Sequence, residues 1–236
     1  CMATIPEDMF IEAVNALVKA EEDWVPSEPE TSLYIRPFAF ACESSLGVHK
    51  SKAYKFVIIL SPVGAYYAEG LAPVKIMVED EYVRAVQGGT GFTKCGGNYA
   101  GSIIGQVKAE KYGCSQVLWL DGRERKYVEE VGAMNIMFKI DGEIYTAPIE
   151  GTVLPGVTRD SIIHILKDWG YKVNETHLSV DDLMQAGRDG RLEEVYGTGT
   201  AAVISPVGAL VYKGEEITIN NFKIGEPVSY THLRAH

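Results

Sequence analysis

The sequence predicts an α+β protein in two units. An apolar helical face near the start runs directly into two long strand-like runs, and Gly/Pro punctuation follows at 61–73. Beyond it come further short apolar runs, one of them a hairpin, with a few helices interspersed. At 236 residues the chain fits one large domain or two small ones.

The first element is a helix over 6–20. Phe10, Ile11, Val14, Leu17 and Val18 recur on one face, and Glu7 and Asp8 sit where the helix dipole favours acids. A helix so near the start, in a chain that begins with Cys1, suggests a segment of a longer protein. Strand-like runs follow at Ser32–Ala41 and Tyr54–Pro62. An interdomain connection is expected at 64–74, with the strand Val74–Val78 opening the second unit.

The second unit begins with a glycine cluster. Gly88-Gly89-Thr90-Gly91 and Gly96-Gly97 bracket Lys94, and a helix is expected over 98–112, closed by Gly113. Strands are expected at Gln116–Leu120 and Tyr127–Val131, and a hairpin at Asn135–Ile140 and Glu143–Ala147 around Asp141-Gly142. Pro155-Gly156 leads into a helix with Ile162, Ile165, Leu166 and Trp169 on one face, ended by Gly170. A strand at 171–178 and a helix at 179–187, with Ser179 as N-cap, come next. Glu194–Ser205 and Ala209–Ile219 are expected as closing strands. Residues 227–236 carry no apolar periodicity, resemble translated adapter sequence, and are expected to be a non-native tail.

Composition narrows the function. Hydrophobic residues are 46% and charged residues 23%, which excludes disordered and fibrous classes. A net charge of −10 opposes broad nucleic-acid binding, so no nucleic-acid partner is expected. No stretch nears the ~20 apolar residues of a membrane span, and none is expected. Four scattered cysteines and five scattered histidines argue against a disulfide framework or a metal site. With no visible secretory signal, the expected location is cytoplasmic.

Five features could carry chemistry, and each has a plainer alternative. Lys94, flanked by glycines, suits a nucleophilic amine; otherwise it is a solvated loop lysine. Pro155-Gly156-Val157-Thr158 opens a helix whose N–H groups suit an anion; otherwise it is an ordinary loop. Gly197-Thr198-Gly199-Thr200 suits phosphate or carboxylate; otherwise it is a turn between strands. Of Glu129-Glu130, one carboxylate faces inward if the other faces solvent; otherwise the pair is an exposed acidic edge. Tyr34 and Arg36 share a strand face where Arg suits a carboxylate; otherwise Arg36 makes a surface ion pair. Together the set suits pyridoxal phosphate, which needs a lysine, an anion cradle and a carboxylate for its ring nitrogen.

Seven motifs carry a closer resemblance: Ser32–Pro37 (SLYIRP), Pro62–Tyr66 (PVGAY), Lys94–Tyr99 (KCGGNY), Gln116–Leu120 (QVLWL), Glu130–Asn135 (EVGAMN), Leu154–Arg159 (LPGVTR) and Glu194–Ala201 (EVYGTGTA). In this order they resemble the branched-chain amino acid aminotransferases of the fold-type-IV pyridoxal-phosphate class, over residues 2–225. The resemblance implies a two-domain α+β fold. Residues 1–63 would be the remnant of a small two-layer domain. Residues 75–226 would form a larger cofactor-binding domain, a barrel-like sheet with peripheral helices, and the cofactor would sit at the boundary between the two.

The resemblance also assigns roles. Lys94 would be the catalytic residue, bonding pyridoxal 5′-phosphate and then carrying the transferred proton. Glu130 would face the ring nitrogen and Tyr99 the ring oxygen. Val157 and Thr158 would offer backbone N–H groups, and Thr198 a hydroxyl, to the phosphate. Thr200 and Ala201 would hold the substrate carboxylate. Tyr34, Arg36, Val48 and Tyr66 would line the substrate side, with Arg36 serving the second carboxylate of glutamate or 2-oxoglutarate.

The implied reaction moves an amino group between L-Leu, L-Ile or L-Val and 2-oxoglutarate. The partners would be these amino acids and 2-oxo acids, with the full-length parent a homodimer. The chain departs from the pattern in three ways. Ala202 and Ser205 stand where some members carry a redox CxxC, so no thiol switch is expected there. The resemblance also implies an upstream segment that supplies an arginine for the phosphate, and a C-terminal helix, both expected to be absent from this chain. Low or absent activity of this chain is therefore expected. The alternatives are a D-amino acid aminotransferase, an aminodeoxychorismate lyase, or a fragment that holds the cofactor without turnover.

Overall fold

A computed structural model describes residues 2, 4–29, 31–64, 72–200 and 203–229, apart from the side chain of Val203. The chain divides into two compact units, Cys1–Ala68 and Glu69–His236. Most of the connection expected at 64–74 lies outside the described residues.

In the first unit, helix α1 (Glu7–Ala20) precedes an antiparallel hairpin of β1 (Ser32–Ala41) and β2 (Tyr54–Val63). The helix lies on this ribbon, with Phe10 and Phe56 ring centroids 6.0 Å apart.

In the second unit the elements are β3 (Val74–Glu79), α2 (Gly96–Lys111), β4 (Gln116–Leu120), β5 (Val128–Val131), β6 (Met134–Ile140), β7 (Glu143–Thr146), α3 (Val157–Asp168), β8 (Val173–Glu175), α4 (Val180–Arg188), β9 (Leu192–Gly199), β10 (Val203–Tyr212) and β11 (Glu215–Thr218). Six strands close a ring, each paired to the next in the order β10, β3, β4, β5, β6, β9 and back to β10. This closed β-barrel, with helices outside it, is the α+β architecture the sequence predicts. β7 and β8 extend the sheet from β6, and β11 from β10.

The alternation of strand residues sorts the core into faces. Ile76, Leu118, Leu120, Ile136, Phe138 and Val195 pack into one large cluster together with Leu183 and Met184 of α4. Their sequence neighbours point the other way. Met77, Val117 and Trp119 pack under α2, while Met137 and Tyr196 pack under Ile162, Ile163 and Leu166 of α3. Gly105 of α2 makes room for Trp119, since an added Cβ would lie 2.5 Å from the indole.

Several expected strands change length. The run at 171–178 forms a strand only over Val173–Glu175, the stretch that pairs with β7. The single strand expected over Glu194–Ser205 is two, β9 and β10, paired antiparallel with Val203 opposite Gly199. Ala209–Ile219 breaks at Lys213-Gly214, both with positive φ (49° and 84°), which turns the chain into β11. The turn residues Lys213-Gly214 and Gly197-Thr198-Gly199-Thr200 sit at these two reversals, inside runs whose flanking apolar residues read as continuous strands. Within the tail expected from 227, Val228 is fully buried beside Tyr196 and Ile204. Residues 230–236 lie outside the described residues.

Candidate active site

Lys94 stands on a tight loop just before α2. Asn98, in the first turn of that helix, ties the loop together. Its Nδ2 donates to the carbonyls of Thr90 and Thr93, each at 2.8 Å, and its Oδ1 accepts from the Thr90 hydroxyl at 2.7 Å. Gly91 lies against Ala85 and the Thr152 carbonyl, where no Cβ would fit. Lys94 is exposed, and its Nζ lies 5.9 Å from the Tyr99 ring centroid. Arg84, Lys94, Asn98, Tyr99, Glu130 and Leu154 line one cavity.

The two adjacent glutamates are both buried, Glu129 at 8% exposure and Glu130 at 3%. The expectation that one of them could face solvent is therefore corrected, because both sides of β5 are covered. Glu129 accepts the Thr152 hydroxyl at 2.5 Å. Glu130 Oε1 accepts from Leu154 N–H at 3.0 Å and Asn135 Nδ2 at 2.9 Å. Glu130 Oε2 lies 2.8 Å from Arg84 Nη2. Burial pushes the Glu130 carboxyl up to about 7 against the pull of Arg84, the Leu154 N–H and Lys94. Arg84 Nη2 also donates to the carbonyls of Gly91 (3.2 Å) and Thr152, so one guanidinium joins the Lys94 loop to Glu130.

Glu130 pairs with Asn135, and Asn135 with Thr198, across three neighbouring strands. Residues paired in this way share a face. Asn135 and Thr198 alternate with residues of the large cluster, so the row lies on the side where α3 packs. Thr198 is 1% exposed, and its hydroxyl has no hydrogen-bond partner among the described residues. A buried hydroxyl left in this state suits an incoming acceptor.

The turn that carries Leu154 opens α3. Val157 and Thr158 are its first residues, and the N-cap Gly156 offers no side-chain cap. The first N–H groups of such a helix have no partner within it and face outward as an anion site. Arg159 holds this turn down: it is 4% exposed and donates to the Ala147 carbonyl and Glu175, each at 2.9 Å. Val157 and Thr158 are not part of the cavity lining and join it only through Leu154.

In the first unit, Tyr34 and Arg36 do share a face of β1. Arg36 Nη2 donates to the Tyr34 hydroxyl at 3.2 Å and stacks 5.0 Å from its ring centroid. Val48 is fully exposed in the loop between β1 and β2, and Thr200 is exposed at the end of β9. Tyr66 and Ala201 lie outside the described residues. Among the described residues, no group of three or more His, Cys, Asp or Glu could hold a metal, and no helix is long and apolar enough to cross a membrane.

Comparison with known proteins decides the family. The sequence pattern of the family described as Amino-transferase class IV matches residues 2–210. The chain belongs to the class IV aminotransferases. It is 56% identical over 226 residues to branched-chain-amino-acid aminotransferase 2 of Bacillus subtilis (strain 168), covering 96% of this chain and 62% of that protein. It is 44% identical over 227 residues to the branched-chain-amino-acid aminotransferase of Mycolicibacterium smegmatis, covering 94% of this chain and 62% of that protein. The chain thus spans less than two thirds of the length of these relatives.

Solved class IV structures agree on the fold. The branched-chain amino acid aminotransferase of Escherichia coli superimposes with a TM-score of 0.79 at 28% identity, covering 98% of this chain and 71% of that one. The T.th. branched-chain amino acid aminotransferase, solved with pyridoxamine 5′-phosphate, gives 0.80 at 27% identity, with the same two coverages.

The sequence reading missed Arg84 and gave Asn135, Asn98 and Arg159 no role. Arg84 belongs to no motif and is identified only by its contacts. Asn135 carried a usable signal, because it ends EVGAMN five residues after Glu130. A tight reversal between two strands sets such residues opposite each other.

Proposed function

We propose that this chain is the cofactor-binding part of a pyridoxal-phosphate-dependent aminotransferase that moves amino groups between L-Leu, L-Ile or L-Val and 2-oxoglutarate. The observation that carries the reading is one cavity lined by an accessible lysine, Lys94, and a buried carboxylate, Glu130. The unpartnered Thr198 hydroxyl, in the same cross-strand row as Glu130, fits a phosphate oxygen. The 56% identity to a branched-chain enzyme supports the substrate class.

When bound, pyridoxal phosphate supplies an aldehyde for amines and a protonated ring that draws electrons from the substrate Cα. Lys94 Nζ is the only amine in the cavity lining among the described residues, so it holds the cofactor and carries the proton to and from the substrate Cα. The Glu130 carboxylate would serve the ring nitrogen and keep a proton there. Arg84 beside it favours the ionised carboxylate that this role needs. Tyr99, which lines the same cavity, would hydrogen-bond the ring oxygen. The N–H groups of Val157 and Thr158 and the Thr198 hydroxyl hold the phosphate, aided by the α3 dipole. Thr200 and Ala201 bind the substrate carboxylate. Tyr34, Arg36, Val48 and Tyr66 would serve the substrate, with Arg36 for the second carboxylate of 2-oxoglutarate. In this reading residues 1–63 are the remnant of the small domain, and the parent is a cytoplasmic homodimer.

A transfer panel tests the reading. The chain, saturated with pyridoxal phosphate, is offered L-Leu, L-Ile, L-Val or D-Ala with 2-oxoglutarate, and the glutamate formed is measured. Glutamate formed from the branched L-substrates in preference to D-Ala is expected, at a low rate. Preference for D-Ala would overturn the substrate class. Cofactor retained on Lys94 with no transfer would assign the chain to a binding fragment.

A further inference from the structure

Asn135 is a buried side chain that this mechanism leaves unused. It is 5% exposed and is not part of the cavity lining. Its Nδ2 spends both protons at once, on Glu130 Oε1 and on the Leu154 carbonyl, each at 2.9 Å. Leu154 answers with its own N–H, given to the same Glu130 oxygen at 3.0 Å. The three groups close a ring of hydrogen bonds. Gly156 is packed against the amide from the other side, since an added Cβ would run into Asn135 Oδ1.

We infer that Asn135 is a positioning residue that clamps the Glu130 carboxylate to the Leu154–Gly156 turn, so that the carboxylate and the N-terminus of α3 move as one body. The clamp follows from the geometry of the chain alone. What its two ends hold, a ring nitrogen and a phosphate, rests on the proposed function.

Among short, uncharged side chains only an amide meets the demand. The carboxylate and the carbonyl are both acceptors, so the bridging group must donate twice from one atom. An aspartate has the same shape but, when ionised, no proton to give, and it would set a second carboxylate against Glu130. An alanine leaves Oε1 with Leu154 N–H alone and frees the Leu154 carbonyl.

The clamp has a functional signature. A ligand held at two points binds tightly when the second point is already in place once the first is engaged. Pyridoxal, which lacks the phosphate, uses only the carboxylate end. Loosening the clamp therefore weakens pyridoxal phosphate more than pyridoxal. A residue that merely supported the fold would weaken both alike.

The test compares wild type, Asn135→Ala and Asn135→Asp in two measurements. In equilibrium dialysis, the ratio of affinities for pyridoxal phosphate over pyridoxal is expected to fall about tenfold in Asn135→Ala, the effect of one hydrogen bond to a charged group. In hydrogen–deuterium exchange of the cofactor-free chain, the hydrogen-bonded amides of Leu154 and Gly156 are expected to exchange about tenfold faster, with residues 136–138 unchanged. Asn135→Asp, which keeps the shape, is expected to show the same pattern if Asn135→Ala does not fold. An unchanged affinity ratio, or unchanged exchange at Leu154 and Gly156, would overturn the inference. If wild type itself binds no pyridoxal phosphate, the proposed function fails, and the exchange measurement still decides the clamp.

Discussion

Arg84 Nη2 lies 2.8 Å from Glu130 Oε2, and both side chains are less than a tenth exposed. Arg84 also donates to the backbone carbonyls of Gly91 and Thr152. Its charge therefore serves the carboxylate, while its shape ties the Lys94 loop to β5 of the barrel.

Removing one partner of such a pair leaves the other charge buried and alone. Arg84→Met is expected to destabilise the chain by about 3–5 kcal/mol, read by urea unfolding. Arg84→Met combined with Glu130→Gln is expected to recover most of that loss. A single substitution that costs less than about 1 kcal/mol would contradict this account of the pair.

Glu130 and Glu194 set the pH response. Burial raises each carboxyl from its ordinary 4.5 to about 7. An acid raised in this way holds its proton more tightly folded than unfolded. Its stabilising contribution is therefore full below about 4.5 and is lost as pH rises towards 7. Glu194, 4% exposed, packs against Gly225, and burial is the main cause of its shift. Glu194→Gln is expected to stabilise the chain at pH 8 by on the order of 1–3 kcal/mol and to change it little at pH 4.5. Urea unfolding at both pH values checks this, and a larger gain at pH 4.5 would count against it.

Thr198→Val separates cofactor binding from folding. The hydroxyl is buried without a partner among the described residues, so its loss is expected to leave the stability of the cofactor-free chain unchanged or slightly higher. Affinity for pyridoxal phosphate is expected to fall about tenfold, as when a hydrogen bond to a charged group is lost. Thermal unfolding and equilibrium dialysis read the two effects.

Cys95 and Cys114 are expected to differ in reactivity. The Thr90 hydroxyl and the Asn98 and Gly97 N–H groups hold the Cys95 thiol below its usual value, while burial pushes Cys114 up. Iodoacetamide labelling at pH 7 followed by peptide mass spectrometry is expected to modify Cys95 at least about tenfold faster, because the thiolate is the reactive form. Equal rates would contradict the arrangement of the Lys94 loop.

The sequence made much of this legible, and the reasons are local. Ser179 caps α4 by accepting from Asp182 N–H at 3.0 Å, a pattern visible in the residues themselves. The Asp141-Gly142 turn, with φ of 50° and 77°, is equally direct. Motifs flanking Lys94 and Glu130 placed both on candidate elements, and the structure brings them to one cavity. Arg84 was not legible, because its partners lie 7, 46 and 68 positions away and only the closed barrel brings them together. The break between β9 and β10 was only partly legible. Gly197-Thr198-Gly199-Thr200 offered a turn there, but the same residues also suited an anion site, and only the pairing of Val203 with Gly199 separates the two arms.

The most direct test of the central claim is to trap the cofactor. The chain is incubated with pyridoxal phosphate, reduced with borohydride and digested, and the added mass is located by mass spectrometry. The account expects pyridoxyl mass on Lys94 and its loss in Glu130→Ala. Mass spread over surface lysines, or mass on Lys94 that does not depend on Glu130, would contradict it.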